Sequence, residues 1–307
     1  MTLAFVFPGQ GSQSVGMLAE FAAQYPVVHD TFAEASAVLK HDLWQIVREG
    51  PEEALNQTHI TQPAMLTAGV ATWRIWQARG GAMPQLMAGH SLGEYSALVC
   101  AGALEFAAAV ELVALRGRYM QAAVPVGQGA MAAILGLEDA QVAAACTQAA
   151  QGEVVAAVNF NSPGQVVIAG QVTAVNRAME LCVAAGAKRA LLLPVSVPSH
   201  CALMKPAAEQ LAQRLRSVTL RTPQIPVINN VDVAQPNDAD AIRDALVRQL
   251  YNPVRWVETV QRMTGAGVSK LIECGPGKVL VGLNKRISKE MTTHALVDVA
   301  SLEKALA

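Results

Sequence analysis

Gly89-His90-Ser91-Leu92-Gly93 stands between two unlike stretches. Before it runs Leu86-Met87-Ala88, apolar and long enough to end a buried strand. After it comes Glu94 to Ala101, compatible with a helix and stopped by Gly102. Leu92, Tyr95, Leu98 and Val99 fall at the i, i+3, i+6, i+7 spacing of one helix face. Strand, tight turn and helix are the context in which G-x-S-x-G forms a nucleophile elbow. Glycine lets the backbone turn there without a Cβ clash. The serine lands at a helix N-terminus, where unpaired amides and the helix dipole favour developing negative charge. An ordinary glycine-rich turn with an exposed serine would share the five letters, but the flanks favour the elbow.

Working back from the elbow, Leu3 to Phe7 reads as a buried first strand. Pro8-Gly9-Gln10-Gly11-Ser12-Gln13 follows as a loop, with a helix expected from about Val15. The loop lacks the Lys-Ser/Thr of a P-loop and the G-x-G-x-x-G pattern, which argues against a phosphate cradle. Its other use is to present a backbone N–H to an oxyanion. Elbow enzymes take one donor from the residue after the nucleophile, here Leu92, and one from a loop after another strand. Gln10 is the candidate for the second. Phe21 to Arg79 reads as helices with short turns, one of them spanning Pro63 to Gln77. Gln62, just before Pro63, is either a cap at that helix start or a polar group lining the site.

Downstream, Phe106 to about Val124 forms a helix. At 100° per residue Glu111, Arg118 and Gln121 share a polar side, while Arg116 lies about 140° from Glu111 among Leu112, Val113, Met120 and Ala123. An unpaired buried guanidinium is costly, so Arg116 needs an anion. That anion is either an Asp or Glu from elsewhere in the chain or a substrate carboxylate, which arginine binds well through its fork.

From Gly129 the texture changes. Strands are expected over 129–135, 154–158, 165–169 and 189–193, and helices over 138–150 and 172–185, with a turn at Asn161-Ser162-Pro163-Gly164. This β-α-β-β-α-β order is the ferredoxin-like pattern. It marks residues 127–196 as a small inserted domain, with 1–126 and 197–307 forming a large discontinuous α/β domain. Pro194 to His200 returns the chain to the large domain. Ile225 to Val231 reads as a strand, followed by a helix to about Tyr251 and another from Pro253. Lys270 to Cys274 reads as a late strand, then Gly275-Pro276-Gly277 and a helix through Lys285-Arg286. Strand–helix alternation on both flanks implies a mostly parallel sheet covered on both faces.

Composition agrees with a large interior. Of 307 residues, 52% are hydrophobic and only 15% charged, against roughly a quarter charged in ordinary domains. The net charge of −1 gives no global attraction to nucleic acid or to an anionic membrane. The N-terminus lacks the basic start and apolar core of a signal peptide. The uncharged stretch Tyr119 to Leu137 is broken by Pro125, Gly127 and Gly129, so it is not expected to span a membrane. Five widely spaced cysteines form no C-x-x-C or zinc pattern, and are expected to be reduced core residues of a cytoplasmic protein.

Taken together, Phe7-Pro8-Gly9-Gln10-Gly11, Gly89 to Glu94, Arg116-Gly117 with Met120, Pro198-Ser199-His200, Asn229-Asn230-Val231 and Glu273 to Gly277 resemble the bacterial malonyl-CoA–acyl carrier protein transacylases. The similarity runs through essentially the whole chain, in order. Polyketide synthase acyltransferase domains are similar too, but they usually carry other residues before the histidine, so Pro198-Ser199 favours the discrete enzyme. The resemblance implies an α/β fold: a large α/β-hydrolase-like domain with a mostly parallel sheet, plus the ferredoxin-like insert. It implies Ser91 as nucleophile and His200 as its base, with His200 oriented by the backbone carbonyl of Gln249 rather than by an acid. It implies that Arg116 holds the malonyl carboxylate and that the Gln10 and Leu92 amides form the oxyanion hole, with Gln62 and Met120 also on the substrate side. No metal or redox cofactor is implied. The expected partners are coenzyme A thioesters and acyl carrier protein, met by a monomer. The carrier protein of the family is acidic, and Lys188-Arg189 and Lys285-Arg286 are candidates to meet it. A serine hydrolase of α/β-hydrolase type is the competing enzyme, distinguished by an acid within reach of His200. A non-catalytic carrier-docking module is the alternative outside enzymes, and the presence of Ser91, His200 and Arg116 together argues against it.

Overall fold

The computed structural model describes residues 2–195 and 197–307. Met1, which begins the N-terminal stretch, and Ser196, the last residue of the expected insert, lie outside the described residues. The first strand, β1 (Leu3–Phe7), is buried at every position and central in a five-stranded sheet. After it come α1 (Ala19–Gln24), α2 (Val27–Leu39), α3 (Leu43–Glu49), α4 (Glu52–Leu55) and α5 (Thr58–Ala78). Next are β2 (Leu86–Gly89), α6 (Gly93–Cys100) and α7 (Phe106–Ala123). The small-sheet segment holds β3 (Gly129–Leu135), α8 (Asp139–Ala150), β4 (Val155–Ser162), β5 (Gln165–Gln171), α9 (Val172–Ala184) and β6 (Arg189–Leu192). The chain then adds α10 (Lys205–Leu215), β7 (Val227–Ile228), α11 (Ala239–Gln249), α12 (Trp256–Gly265), β8 (Lys270–Cys274), α13 (Val279–Ile287), β9 (Thr292–Leu296) and α14 (Val299–Leu306).

The large sheet has the order β7-β2-β1-β8-β9, with every pairing parallel. Its strands read as unbroken apolar runs because both faces are covered. Along β1 the side chains alternate between two cores. Phe5 and Phe7 enter one with Trp73, Trp76 and Val113, and both tryptophan rings meet Phe5 edge-on at 5.2 Å. Ala4 and Val6 enter the other with Trp256, Val260 and Leu280. The register sets Phe7 opposite Gly89, so β1 and β2 end level and their loops leave side by side. Such carboxyl ends are where open parallel sheets place ligands.

The second sheet is antiparallel in the order β4-β5-β3-β6, the ferredoxin-like arrangement. One face, including Ala132, Ile134, Val166 and Ile168, packs on α8 and α9. The other, with Met131, Val158, Val167 and Ala169, meets Cys201 beside the large sheet. Strand β4 is stitched to the large body where Val254 donates to the Val158 carbonyl at 2.8 Å and accepts from Phe160 at 3.0 Å.

Several local expectations change. The helix expected from Val15 begins at Ala19, after turns. Pro63 does not open its helix: α5 starts at Thr58 and carries the proline inside. A proline this close to the N-terminus removes one helical bond and is tolerated more readily than at mid-helix. Asn161 and Ser162 belong to β4, which leaves only Pro163-Gly164 for the turn. Strand β7 is two residues long because Asn229 and Asn230 leave the sheet to bond elsewhere. Helix α12 starts at Trp256, not Pro253.

Candidate active site

The elbow is built by close approach. A Cβ at Gly89 would lie 1.8 Å from the Gly93 carbonyl carbon, and one at Gly93 would lie 2.0 Å from the Phe7 carbonyl oxygen. Only glycine fits at either position. His90 N–H donates to the Phe7 carbonyl at 2.9 Å, and Gly93 N–H to the His90 carbonyl at 2.9 Å. Between them Ser91 is held at φ 51°, in the left-handed region that non-glycine residues avoid. This lifts its side chain off the strand end towards the small sheet.

The Ser91 hydroxyl lies 2.8 Å from His200 Nε2. His200 Nδ1 lies 2.7 Å from the backbone carbonyl of Gln249. A carbonyl can only accept, so Nδ1 carries the proton, and Nε2 is left with a lone pair for the serine O–H. His200 is buried, has φ 65°, and donates its backbone N–H to the Leu250 carbonyl at 3.0 Å. Burial first, and the Arg116 charge second, push its imidazole down to about 3. It is therefore neutral, and able to take a proton, across the physiological range. No carboxylate bonds to it among the described residues, so the acidic third member of a hydrolase triad is not present there.

Arg116 projects from α7 and is 1% exposed. Its Nη1 donates to Gln62 Oε1 at 2.8 Å and its Nη2 to Gln249 Oε1 at 3.0 Å. Nη2 also lies 3.4 Å from Ser91 Oγ. The guanidinium carbon sits 5.4 Å from the centre of the Tyr95 ring. Among the described residues no carboxylate comes within ion-pair distance of it. Burial holds its pKa below the usual arginine value, with Tyr95 and Glu94 partly opposing that. Of the two anions that the sequence allows, a structural Asp or Glu paired directly with Arg116 is not found among the described residues; Glu94 acts on it only through space. Glu111, on the opposite side of α7, pairs with Arg214 at 2.6 Å.

A cavity of about 200 Å³ opens over these groups. Ser91, His200, Arg116, Leu92, Gln10 and Met120 all line it. The small sheet contributes Met131 and Val167 to its roof, and α13 adds Leu280 and Leu283. The N–H groups of Gln10 and Leu92 donate to no acceptor among the described residues, so both are available to a ligand. The start of α13 is held by Glu273, buried behind it, which accepts from Leu280 N–H at 3.1 Å and Val281 N–H at 2.8 Å. Burial pushes that carboxyl up to about 7.

Gln62 is neither a cap nor a lining residue. It stands behind Arg116 within α5 and turns its NH2 to Met120 Sδ at 3.4 Å. Gln249 contributes its side chain as well as its carbonyl: Nε2 donates to the Ser91 carbonyl at 3.1 Å and to Glu94 Oε2 at 2.8 Å. Sequence reasoning assigns no role to Glu94 or Asn230, yet both stand at the site. Asn230 accepts the Ser91 N–H at 2.7 Å and donates its amide to the Gly89 carbonyl at 2.7 Å, bracing the elbow from both sides. His90 reaches the small sheet through Asn161 at 2.8 Å. The one signal for such residues is a polar side chain at a strand or helix end in apolar surroundings. Cys201, beside His200, is buried with its thiol pushed up to about 11, so it does not compete as a nucleophile.

The model for the acyl transferase domain matches residues 4–302. The malonyl CoA-acyl carrier protein transacylase of Salmonella typhimurium is 65% identical over 303 residues, covering 99% of this chain and 98% of the relative. The chain belongs to the malonyl CoA-acyl carrier protein transacylase family. An acyl carrier protein S-malonyltransferase from Vibrio cholerae superposes on this chain with a TM-score of 0.97 at 64% identity, covering 99% of both chains. A malonyl-transacylase in complex with a type II polyketide synthase acyl carrier protein superposes with a TM-score of 0.99 at 61% identity, covering 100% of this chain and 99% of that one. The chain is thus an acyltransferase, built around the strand–turn–helix elbow at Ser91. Among its described residues no helix is long and apolar enough to cross a membrane, and no cluster of three or more metal-ligating side chains occurs.

Proposed function

We propose that the protein moves a malonyl group from malonyl-CoA to the phosphopantetheine thiol of an acyl carrier protein, through an ester on Ser91, and so supplies fatty-acid elongation. The observation that carries this is Arg116: a buried cation with no carboxylate partner among the described residues, 3.4 Å from the nucleophile. Malonyl brings a carboxylate to that position, and acetyl does not.

The steps follow from the geometry. Ser91 Oγ attacks the thioester carbonyl as His200 Nε2 takes its proton. The oxyanion that forms is met by the N–H groups of Leu92 and Gln10, fixed before the reaction begins. The carbon–sulfur bond breaks, and the imidazolium returns its proton to the departing thiolate. The carrier's thiol then enters, gives its proton to His200, and takes the malonyl group by the same steps in reverse. The cycle is redox-neutral, so the reading requires no cofactor. It takes the protein to be a monomer in the cytoplasm. The relative solved with a polyketide synthase carrier keeps such a carrier as a second acceptor to test.

Intact-protein mass spectrometry after mixing with malonyl-CoA and, separately, acetyl-CoA tests the proposal. One malonyl group should appear on Ser91, much less acetyl, and none on Ser91→Ala. Label mapping to Cys201, or to no residue at all, would overturn it.

A further inference from the structure

Glu94 lies beneath the site, 2% exposed on the first turn of α6, and takes no part in the acyl-transfer steps. One oxygen, Oε2, accepts both of its hydrogen bonds: from the Asn230 backbone N–H at 2.9 Å and from Gln249 Nε2 at 2.8 Å. An oxygen that only accepts dictates how the Gln249 amide must lie. Its Nε2 faces Glu94 and the Ser91 carbonyl, so Oε1 faces Arg116 Nη2 at 3.0 Å. Turning the amide over would set N–H against the guanidinium N–H and oxygen against two oxygens. Each attraction would then become a repulsion.

We infer that Glu94 is a positioning residue for acyl-group selectivity, aiming the Arg116 fork at the malonyl carboxylate through the side chain of Gln249. The inference rests on the function proposed above. A direct ion pair between Glu94 and Arg116 would cancel the charge the substrate needs. The amide between them holds the guanidinium with a neutral acceptor instead. Gln62 does the same for Nη1 from the other side. Each terminal nitrogen has two N–H groups, so Nη1 keeps its second for substrate, while the second on Nη2 faces Ser91 Oγ at 3.4 Å, where the acyl group is to be attached. Because both bonds to Glu94 fall on Oε2, a proton on Oε1 leaves the arrangement intact. The positioning therefore does not depend on whether this buried carboxyl is ionised.

Placement and charge can be separated by substitution. A glutamine at 94 can place its one carbonyl oxygen where Oε2 lies, whereas a methionine fills the space and accepts nothing. The measurement is kcat/KM for malonyl-CoA and acetyl-CoA in wild type, Glu94→Gln and Glu94→Met, with thermal melts to verify folding. One charge-assisted hydrogen bond to the substrate is a factor of about 10 or more in selectivity. Glu94→Met should narrow the malonyl-to-acetyl ratio by at least ~10-fold, and Glu94→Gln should keep it within ~3-fold. Equal loss on both substrates in Glu94→Met would make Glu94 structural and overturn the inference. So would a Glu94→Gln variant as unselective as Glu94→Met, since charge and not placement would then be at work. Should Glu94→Met fail to fold, Gln249→Leu breaks the same relay from its other end. It should narrow the ratio likewise, and an unchanged ratio overturns the inference. A wild-type enzyme without malonyl preference would instead overturn the proposed function itself, whatever the variants do.

Discussion

His200 turns its Nδ1 to the backbone carbonyl of Gln249, 2.7 Å away, and to no acid among the described residues. A carbonyl fixes the tautomer and the ring orientation, but adds no full negative charge to favour the imidazolium. His200→Ala should slow malonyl transfer to Ser91 by at least ~10²-fold, the range for a lost general base. Replacing any single Asp or Glu should cost less in stopped-flow acylation. One acid whose loss equals that of His200 would restore the triad.

The same histidine predicts acid lability. Its pKa is about 3 in the folded protein, against 6.5 for an ordinary imidazole. The unfolded chain therefore binds a proton between those values while the folded chain does not. Stability from this group is fully present above about 6.5 and declines as pH falls towards 3. Between pH 6.5 and 4.5 the decline is about 2 kcal/mol. Urea unfolding at both pH values should show His200→Gln losing less stability than wild type. Glu94 and Glu273, each raised to about 7 from 4.5, act in the opposite sense over the same window, so the variant comparison and not the raw curve carries the test.

Arg116→Ala should lose most malonyl transfer and narrow or reverse the preference over acetyl. The charge-assisted bond that it removes is of the order of 1.5–3 kcal/mol. Arg116→Lys should fall between, keeping charge without the fork. Values of kcat/KM for the two thioesters check this, and equal loss on both in a folded variant would make Arg116 structural.

Asn230 braces the elbow by accepting the Ser91 N–H and donating to the Gly89 carbonyl. Asn230→Ala leaves both buried groups unpaired and should destabilise the fold by about 1–3 kcal/mol. Thermal melts measure this directly, and acylation should slow along with it. An unchanged melting temperature would show that the elbow holds itself.

Lys188, Arg189 and Lys285 are exposed, as is Arg286, but Arg286 also donates to Gln165 of the small sheet at 2.9 Å. Reversing the charge of the first three should weaken transfer to carrier protein and its salt dependence, while malonyl-CoA acylation stays nearly intact. Arg286→Glu should disturb both half-reactions, because it also cuts a tie between α13 and the small sheet, each of which contributes residues to the cavity lining. Equal loss of both half-reactions in the other three variants would make them structural too.

Strands β1, β2 and β3 are legible because each is a short apolar run between turn residues. Ser91 is legible because strand, glycine and helix adjoin it in sequence. The support beneath it is not: Ser91 and Asn230 are 139 residues apart, and Glu94 and Gln249 are 155 apart. Nothing in local spacing joins such pairs; the parallel sheet does so by bringing loop ends together. Pro63 misleads for a physical reason, since proline favours helix starts but does not require one. β9, Thr292-Thr293-His294-Ala295-Leu296, escapes a reading by apolar runs because its mixed polarity suits a sheet edge rather than a buried strand.

Ser91 and His200 both sit in left-handed backbone, at φ 51° and 65°. Each such residue costs about 1–2 kcal/mol relative to its relaxed form, and glycine avoids most of that. Ser91→Gly should therefore melt higher than Ser91→Ala, though both are equally inactive. In evolutionary terms the fold is steadily tempted to discard its own chemistry. A duplicate copy freed from selection could drift to glycine at position 91 with the least loss of stability, and would stay folded while the function disappeared; at position 200 the buried imidazole and its bond to the Gln249 carbonyl hold the residue in place.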